Sequence, residues 1–463
     1  MSQPALELLR TIGLLDSNDR VADLSRYSES DLAKHVAYYV AHRRKQARSE
    51  LEGMPKTAGL SSLVSSFSGR TAVQPLLPST LVFERVIVDD LVFKLHQEEN
   101  SLSKAGRASL GFSADNTGIE HWRLQNALAF FEHLAPLMRH GIVHCLPLAD
   151  LHSPPAQPLI KFSPDWYRSD VPDAVHDFVH NSVRLSAVRP GPDGRGLVVF
   201  EGAPTSPTRG IMVEFDDDLI PSSAFYLLYE MTEVKRGDEN TFTFLQTLPW
   251  DKPPDQAYYN AWVYQSINQT IAARLRAIGA EMAVADAAGA AYTTESSFEA
   301  HLCAKLGVKG GGAAPSADAV NFLRANEPTL RIDSADTVLR LRTDDPKMFE
   351  QFHQTLVEVS RQLHGVDDFD TRAKALLTKE ILPQVKSIET AAAKLWGSAA
   401  GGVVLAGGTL GLALLSGPVL PLAAVLGVGA TLAAGAALPS VTEYLSVRKT
   451  PAFLWKQIKK ANP

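Results

Sequence analysis

Residues 395–442 read LWGSAAGGVVLAGGTLGLALLSGPVLPLAAVLGVGATLAAGAALPSVT and contain no Asp, Glu, Lys, Arg or His. Two apolar runs, residues 398–415 and 422–438, are joined by a short segment that holds two prolines. Each run is slightly shorter than the roughly 20 residues that a helix needs to span a bilayer. The stretch therefore predicts a helical hairpin that meets either a membrane or another apolar surface.

Small residues and flanking cations indicate how the predicted hairpin packs and which surface it contacts. Small side chains at four-residue spacing let two helices approach closely. They occur at Gly407 and Gly411 on the first arm and at Ala423, Gly427, Thr431 and Gly435 on the second. Residues 443–463 hold five cations against one acid, and anionic lipid attracts such a tail. The predicted membrane or packing residues also include Trp396, Trp455, Lys456, Lys459 and Lys460. Burial inside a helical bundle or a homo-oligomer is the alternative.

Two longer helices are predicted directly before the hairpin, within a helical part at residues 316–396. From residue 349 apolar side chains follow at steps of three and four, which is the spacing of a packing seam; they are Phe349, Phe352, Leu356, Val359 and Leu363. A second helix is predicted over residues 369–396. The short connection between the two predicts antiparallel packing.

The rest of the chain divides into three further parts. Residues 1–51 predict helices, and residues 52–78, rich in Ser, Gly, Thr and Pro, predict a linker. Residues 79–306 predict an α+β body, a mixed sheet with flanking helices. Its strands are predicted at 81–88, 142–146, 183–188 and 197–201, and its main helices at 119–140 and 255–278. Residues 397–463, the last part of the chain, hold the predicted apolar hairpin with its basic tail.

Overall totals exclude some functions. The net charge of −6 over 463 residues gives no indication of nucleic-acid binding. Two cysteines far apart make no disulfide framework, and the N-terminal residues lack a signal-peptide pattern. We therefore expect a bacterial-type cytoplasmic protein, peripheral or hairpin-anchored at the inner membrane.

A histidine pair is the first candidate site. His176 and His180 lie one helical turn apart, and two imidazoles at this spacing can bind a metal ion. The alternative is a helix that buries Val175, Phe178 and Val179 and leaves both histidines in solvent.

Acidic residues at predicted strand ends are the second candidate site. Asp89 and Asp90 end an apolar strand, and Asp286 ends a second predicted strand at 281–286. The two segments resemble the opening strand and the later helix–strand–Asp element of PIN-like nucleases. The resemblance implies a divalent metal held by these carboxylates for phosphodiester hydrolysis. The alternative is that Asp follows strands because it favours turns.

Together these patterns favour a non-enzymatic sensing or binding protein, without a cofactor, whose C-terminal hairpin associates with an anionic membrane surface. Two other interpretations remain open. One is a metal-dependent hydrolase or PIN-like nuclease that uses Asp89, Asp90 and Asp286. The other is a soluble interaction protein that oligomerises through the hairpin.

Overall fold

The computed structural model describes most of the chain before residue 295 and shorter stretches after it. The described residues are 3–54, 61–66, 83–101, 119–151, 168–192, 197–200, 202–215, 224–236, 242–294, 335–344 and 346–363, with isolated residues at 76–80, 298–302, 328–329, 375–387, 406–407 and 413–415. Two compact units divide the chain. The first comprises Met1–Gln97, Gly118–Pro154 and Ala277–Val441, and the second comprises Glu98–Thr117, Pro155–Arg276 and Thr442–Pro463.

The described residues contain both helices and strands, and six strands follow one another between residues 184 and 247. The helices are α1 (Pro4–Thr11), α2 (Glu29–Glu52), α3 (Leu91–Ser101), α4 (His121–Arg139), α5 (Leu148–Leu151), α6 (Asp173–Ser182), α7 (Gln256–Ala288), α8 (Ala335–Asp344) and α9 (Pro346–Leu363). The strands are β1 (Ser61–Val64), β2 (Arg85–Asp89), β3 (Val143–Leu146), β4 (Arg184–Pro190), β5 (Leu197–Phe200), β6 (Gly210–Glu214), β7 (Ala224–Leu227), β8 (Glu230–Arg236), β9 (Phe242–Thr247), β10 (Ala291–Thr294), β11 (Pro328–Thr329), β12 (Ala406–Gly407) and β13 (Ala413–Leu415). The mixed α+β class predicted from the sequence is confirmed.

The first unit is built on a five-stranded sheet in the order β13-β10-β1-β2-β3. Strands β10, β1, β2 and β3 are parallel, and β13 pairs antiparallel with β10. Parallel strands buried on both faces are made of continuous apolar residues, and Val86, Ile87 and Val88 of β2 fit this rule. For residues 52–78 the sequence predicts a linker, whereas β1 lies there as a buried strand between β10 and β2.

Helices α1, α2 and α4 supply much of the core of the first unit. Ser28 caps α2 by accepting a hydrogen bond from the Asp31 N–H, and the helix buries an apolar stripe with Leu32, Val36 and Val40. Helix α4 continues through Pro136 and ends before Gly141, whose φ of 69° is left-handed. The helix predicted at 119–140 and the strand predicted after it are therefore confirmed.

The second unit contains an antiparallel sheet in the order β5-β4-β6-β7 and the separate hairpin β8-β9. Strands β4 and β5 flank a turn rich in proline and glycine, so the hairpin predicted at 183–188 and 197–201 is confirmed. Helix α6 in this unit buries Val175, Phe178 and Val179, the apolar face that the sequence indicates.

Helix α7 is longer than predicted. The sequence predicts that it ends near Gly279 and that residues 281–286 form a strand, but the helix continues through Gly279 to Ala288. This prediction was wrong because five of residues 280–288 are alanine, which propagates a helix more readily than any other residue. The turn comes at Gly289, with φ of 61°, and β10 follows.

Helices α8 and α9 confirm the first part of the predicted helical region. Phe349 and Phe352, the first two seam positions, are buried in the core of the first unit together with Leu376. Most of the second predicted helix, residues 369–396, lies outside the described residues.

The predicted hairpin is described at only five of its residues. Ala406–Gly407 and Ala413–Leu415 are extended in β12 and β13, not helical. The other residues of both arms, and the basic tail, lie outside the described residues, so the hairpin stays a prediction. Within the described residues, no helix combines the length and apolar character needed to cross a membrane.

Candidate functional site

The carboxyl ends of the parallel strands meet at one edge of the first unit's sheet. The chain enters the sheet at β1, moves outward through β2 to β3, and returns to β10 on the other side of β1. In sheets of this kind ligands bind outside the carboxyl ends of the strands, where the direction of winding reverses. That reversal lies between β1 and β10, and we call the whole edge formed by the carboxyl ends of β10, β1, β2 and β3 the carboxyl edge.

Asp89 lies at the end of β2 on this edge. One of its carboxylate oxygens accepts hydrogen bonds from the backbone N–H of Asp90 at 3.0 Å and of Leu148 at 3.3 Å. The other oxygen lies 3.4 Å from the ammonium nitrogen of Lys94 on α3. The side chains of Asp89 and Lys94 keep 13% and 19% of their surface exposed, so this ion pair remains accessible to a small molecule.

Asp90, in contrast, is fully buried and holds three elements together. It accepts hydrogen bonds from the Tyr39 hydroxyl at 2.7 Å and from the Phe93 N–H at 3.0 Å, and the second of these caps α3. The Arg43 guanidinium lies 3.4 Å from the same carboxylate. Burial raises the pKa of Asp90, and the charge of Arg43 and both hydrogen bonds oppose that shift. These contacts give Asp90 a structural role in the described fold.

Arg43 is the centre of this buried network. Its Nη1 donates to Glu50 at 2.8 Å, and its Nη2 donates to the backbone oxygen of Cys145 at 2.5 Å. Burial opposes the charge of Glu50, yet the contact with His144 and the charge of Arg43 lower its pKa overall. Helix α2 continues for about two turns beyond Arg43. The Arg43 side chain therefore lies inside the helix span and reaches the ends of β2 and β3 through Asp90 and Cys145.

A second buried polar group lies beside β1 and β10. Glu281 of α7 accepts a hydrogen bond at 3.2 Å from the N–H of Ser66, which lies just after β1. The same carboxyl group lies 3.2 Å from the hydroxyl of Tyr292 in β10. Tyr292 donates at 2.7 Å to Glu299. All three side chains are at least 96% buried. Burial, together with the negative charges of Glu299 and Asp89, raises the pKa of Glu281 to about 8.

Asp286, the third predicted acid, lies elsewhere. It is exposed on α7, whereas Glu281 on the same helix is buried against the sheet. Five helical residues correspond to a rotation of about 140°, so the two carboxyl groups occupy different faces. Across the described stretches, no three His, Cys, Asp or Glu side chains are grouped closely enough to hold a metal ion. The structure thus gives Asp89, Asp90 and Asp286 three different environments.

His176 and His180 lie side by side on α6 with their ring centroids 4.4 Å apart. Neither faces bulk solvent, because both pack on α7. The Nε2 atom of His176 lies 3.0 Å from the Tyr264 hydroxyl. The Nε2 atom of His180 lies 2.8 Å from Asn268 Oδ1. Burial lowers the pKa of His180, and the neighbouring His176 adds to the shift. These contacts engage the Nε2 atom of each ring with a side chain of α7.

The chain was compared with known proteins at the level of family, sequence and structure. No protein-family model, curated protein or solved structure matches it. Its chemistry is therefore inferred from its own contacts.

Sequence reasoning missed Glu281, Tyr292 and Glu299. One signal was present, since Glu281 is a single acid within the largely apolar run Ala-Ile-Gly-Ala-Glu-Met-Ala-Val-Ala at residues 277–285. A lone carboxyl group on an apolar helix face indicates a buried partner. The partner itself depends on the parallel pairing of β1 and β10, which short-range patterns do not reveal.

Proposed function

We propose that this chain is a non-enzymatic binding protein whose first unit binds a small polar ligand at the carboxyl edge. The observation that supports this proposal is the reversal of winding between β1 and β10. Sheets with this reversal leave a crevice outside the strand ends, because the connections from the two central strands run to opposite sides. The proposal concerns binding, since the acids at this edge are engaged by protein groups.

The ion pair of Asp89 and Lys94 supplies the chemistry for recognition. It offers one acceptor and one donor that are partly exposed. A small molecule with both polar donors and acceptors complements such a pair. A ligand that binds the folded state only will raise the melting temperature in proportion to the logarithm of its concentration.

A thermal-shift screen tests this proposal. The full chain is screened against nucleotides, amino acids, polyamines and organic acids, and any ligand found is tested on Asp89→Asn. Asp286→Asn is the matched control, because Asp286 is exposed on α7. We expect Asp89→Asn to lose most of the shift and the control to keep it. An equal shift in both variants would place the ligand elsewhere and refute the assignment.

Membrane association is the second part of the proposal. It is supported by the 48 residues without charge at 395–442, followed by a tail with five cations. The apolar segment would enter the lipid and the tail would bind anionic headgroups, each lysine contributing about 1 kcal/mol near the surface. The protein would then act at the cytoplasmic face of a membrane.

Flotation with liposomes tests membrane association. The full chain, a truncation after Trp396 and a variant with Lys456, Lys459 and Lys460 changed to Gln are mixed with anionic or neutral vesicles. We expect the full chain to float with anionic vesicles and the truncation to remain at the bottom. The triple variant should bind about 100-fold more weakly, from three contributions of about 1 kcal/mol each. If the full chain does not float, the membrane proposal is wrong. A defined oligomer in detergent-free buffer that the truncation cannot form would then support the soluble interaction protein.

Metal-dependent hydrolysis remains the rival function. In its favour, Asp89 lies at the carboxyl edge and its charge reaches Glu281. Titration with Mn²⁺, followed by calorimetry, tests it directly. Binding that is lost in Asp89→Asn and retained in Asp286→Asn would support a metal site at this edge. The absence of Mn²⁺ binding at millimolar concentration would remove this rival.

A further inference from the structure

Three buried side chains form a continuous hydrogen-bonded chain at the carboxyl edge. The Tyr292 hydroxyl oxygen lies 3.2 Å from Oε2 of Glu281 and 2.7 Å from Oε1 of Glu299. The exposed fractions of Glu281, Tyr292 and Glu299 are 4%, 2% and 0%. These hydrogen bonds thus connect the last turns of α7 with β10 and with the helical residues that follow β10.

The number of protons in this chain follows from its geometry. A tyrosine hydroxyl has one hydrogen, so it can donate to only one of the two carboxyl groups. The shorter contact assigns that donation to Glu299. The contact with Glu281 is then a hydrogen bond only when Glu281 carries a proton and donates it to the tyrosine oxygen. Two ionised carboxylates on one hydroxyl would place two negative charges close together in a buried site, which is strongly unfavourable.

The surroundings of Glu281 favour this protonated state. Asp89 at the end of β2 and Glu299 after β10 are the negative groups that act on Glu281. Two cations lie on the neighbouring elements: Lys94 of α3 is paired with Asp89, and Arg85 of β2 donates to the backbone oxygen of Ala288 at the end of α7. Ser66 at the end of β1 is neutral and donates to Glu281 from its backbone N–H and from its side chain, which lowers the pKa of Glu281 without supplying a counter-charge. Consistent with this environment, the pKa of Glu281 is raised to about 8.

We propose that a proton carried by Glu281 joins it to Tyr292 and Glu299 and forms a proton-dependent lock on the carboxyl edge. With the proton in place, the lock joins α7 to β10 and, through the Ser66 N–H, to the end of β1. Loss of the proton leaves two anionic carboxylates in a buried site and breaks the Glu281–Tyr292 hydrogen bond. The edge then opens locally, without unfolding of the sheet. The lock is a property of the chain itself and needs no ligand.

Hydrogen exchange of the wild-type chain over a range of pH tests the lock. Peptides that cover residues 61–66 and 281–294 report local opening, after correction for the intrinsic pH dependence of exchange. Glu281 holds its proton when the edge is closed and releases it when the edge opens to water. Opening should therefore increase about tenfold per pH unit between the ordinary glutamate pKa and about 8. A corrected opening constant that does not change with pH would overturn the proposal.

Three variants separate the lock from general alkaline loosening. Glu281→Gln keeps the shape and cannot ionise, so its opening should be independent of pH in this interval. Glu299→Gln frees the tyrosine to donate to an ionised Glu281, so the pH dependence should end at a lower pH. Asp286→Asn, on the exposed face of α7, should retain the wild-type slope. A wild-type slope in Glu281→Gln would refute the assignment, and the Glu299→Gln shift tests it independently if Glu281→Gln does not fold.

Discussion

At the scale of single residues, Arg43 and Arg44 show how neighbouring positions on one helix acquire different roles. Arg43 is fully buried between Asp90 and Glu50, whereas the Arg44 side chain is 55% exposed and pairs with Asp150. Removing one partner of a buried ion pair leaves an unpaired buried charge, which costs far more than losing an exposed pair.

We therefore predict that the same substitution at these two positions changes the free energy of unfolding by very different amounts. Arg43→Met should lower the free energy of unfolding of the first unit by about 3–5 kcal/mol, because Asp90 and Glu50 lose their counter-charge. Arg44→Met keeps a side chain of similar length and should cost less than about 1 kcal/mol. Urea denaturation of the two variants measures the difference. Equal losses would mean that the buried network contributes no more than a surface pair.

A second residue-scale prediction concerns His180. Burial lowers its pKa in the folded state, so the unfolded chain takes up a proton more readily as the pH falls. The stability that a neutral His180 provides is complete above the ordinary histidine pKa and is lost progressively below it. We expect the opening constant of α6, after correction for the intrinsic pH dependence of exchange, to increase from pH 7 to pH 5 in the wild type and to change less in His180→Gln.

The control for this experiment is the exposed His140, which follows α4. His140→Gln should keep the wild-type acceleration in peptides covering residues 173–182. If His180→Gln accelerates as much as the wild type, protonation of another group opens α6.

At the scale of elements, the sequence predicted most helices and strands that have a clear hydrophobic period. Helix α4, strand β3 and the β4–β5 hairpin agree with prediction because their patterns are strong and their ends carry Gly or Pro signals. Strand β1 could not be predicted in this way. Its sequence, Ser-Ser-Leu-Val, is short and half polar, and only pairing with β2 and β10 makes it a central strand.

Gly279 and Gly210 give a matched pair of predictions at this scale. A Cβ added at Gly279, within α7, meets nothing within 4 Å. Gly279→Ala should stabilise the protein by about 0.5–1 kcal/mol, because alanine loses less backbone entropy in a helix. At Gly210 of β6 the added Cβ would lie 2.6 Å from the backbone oxygen of Val188 and 3.1 Å from Trp250.

Gly210→Ala should therefore destabilise the protein by about 1–3 kcal/mol, the usual cost of overpacking. Thermal melting of the two variants should show shifts of opposite sign. Shifts of the same sign would indicate that one backbone differs from the structure described.

At the scale of the whole molecule, the sequence predicted the mixed class and did not predict the division of the chain. The predicted body at 79–306 is split, because residues 155–276 belong to the second unit and the parallel sheet draws strands from distant parts of the first. The sheet unites β1 with β10, more than two hundred residues later. Such pairing depends on contacts between remote segments, and no local period records it. The buried acids of the carboxyl edge were missed for the same reason.

The pairing of β13 with β10 has a consequence for attachment to lipid. Leu414 and Leu415 of the uncharged stretch lie opposite Thr293 and Tyr292 in an antiparallel ladder. A residue in that ladder cannot at the same time belong to a helix immersed in hydrocarbon, where each backbone group needs a partner within its own helix. Bilayer and sheet thus compete for the same short peptide, and insertion would leave the outer edge of β10 bare. Attachment to the membrane and completion of the sheet would then be mutually exclusive states of one molecule.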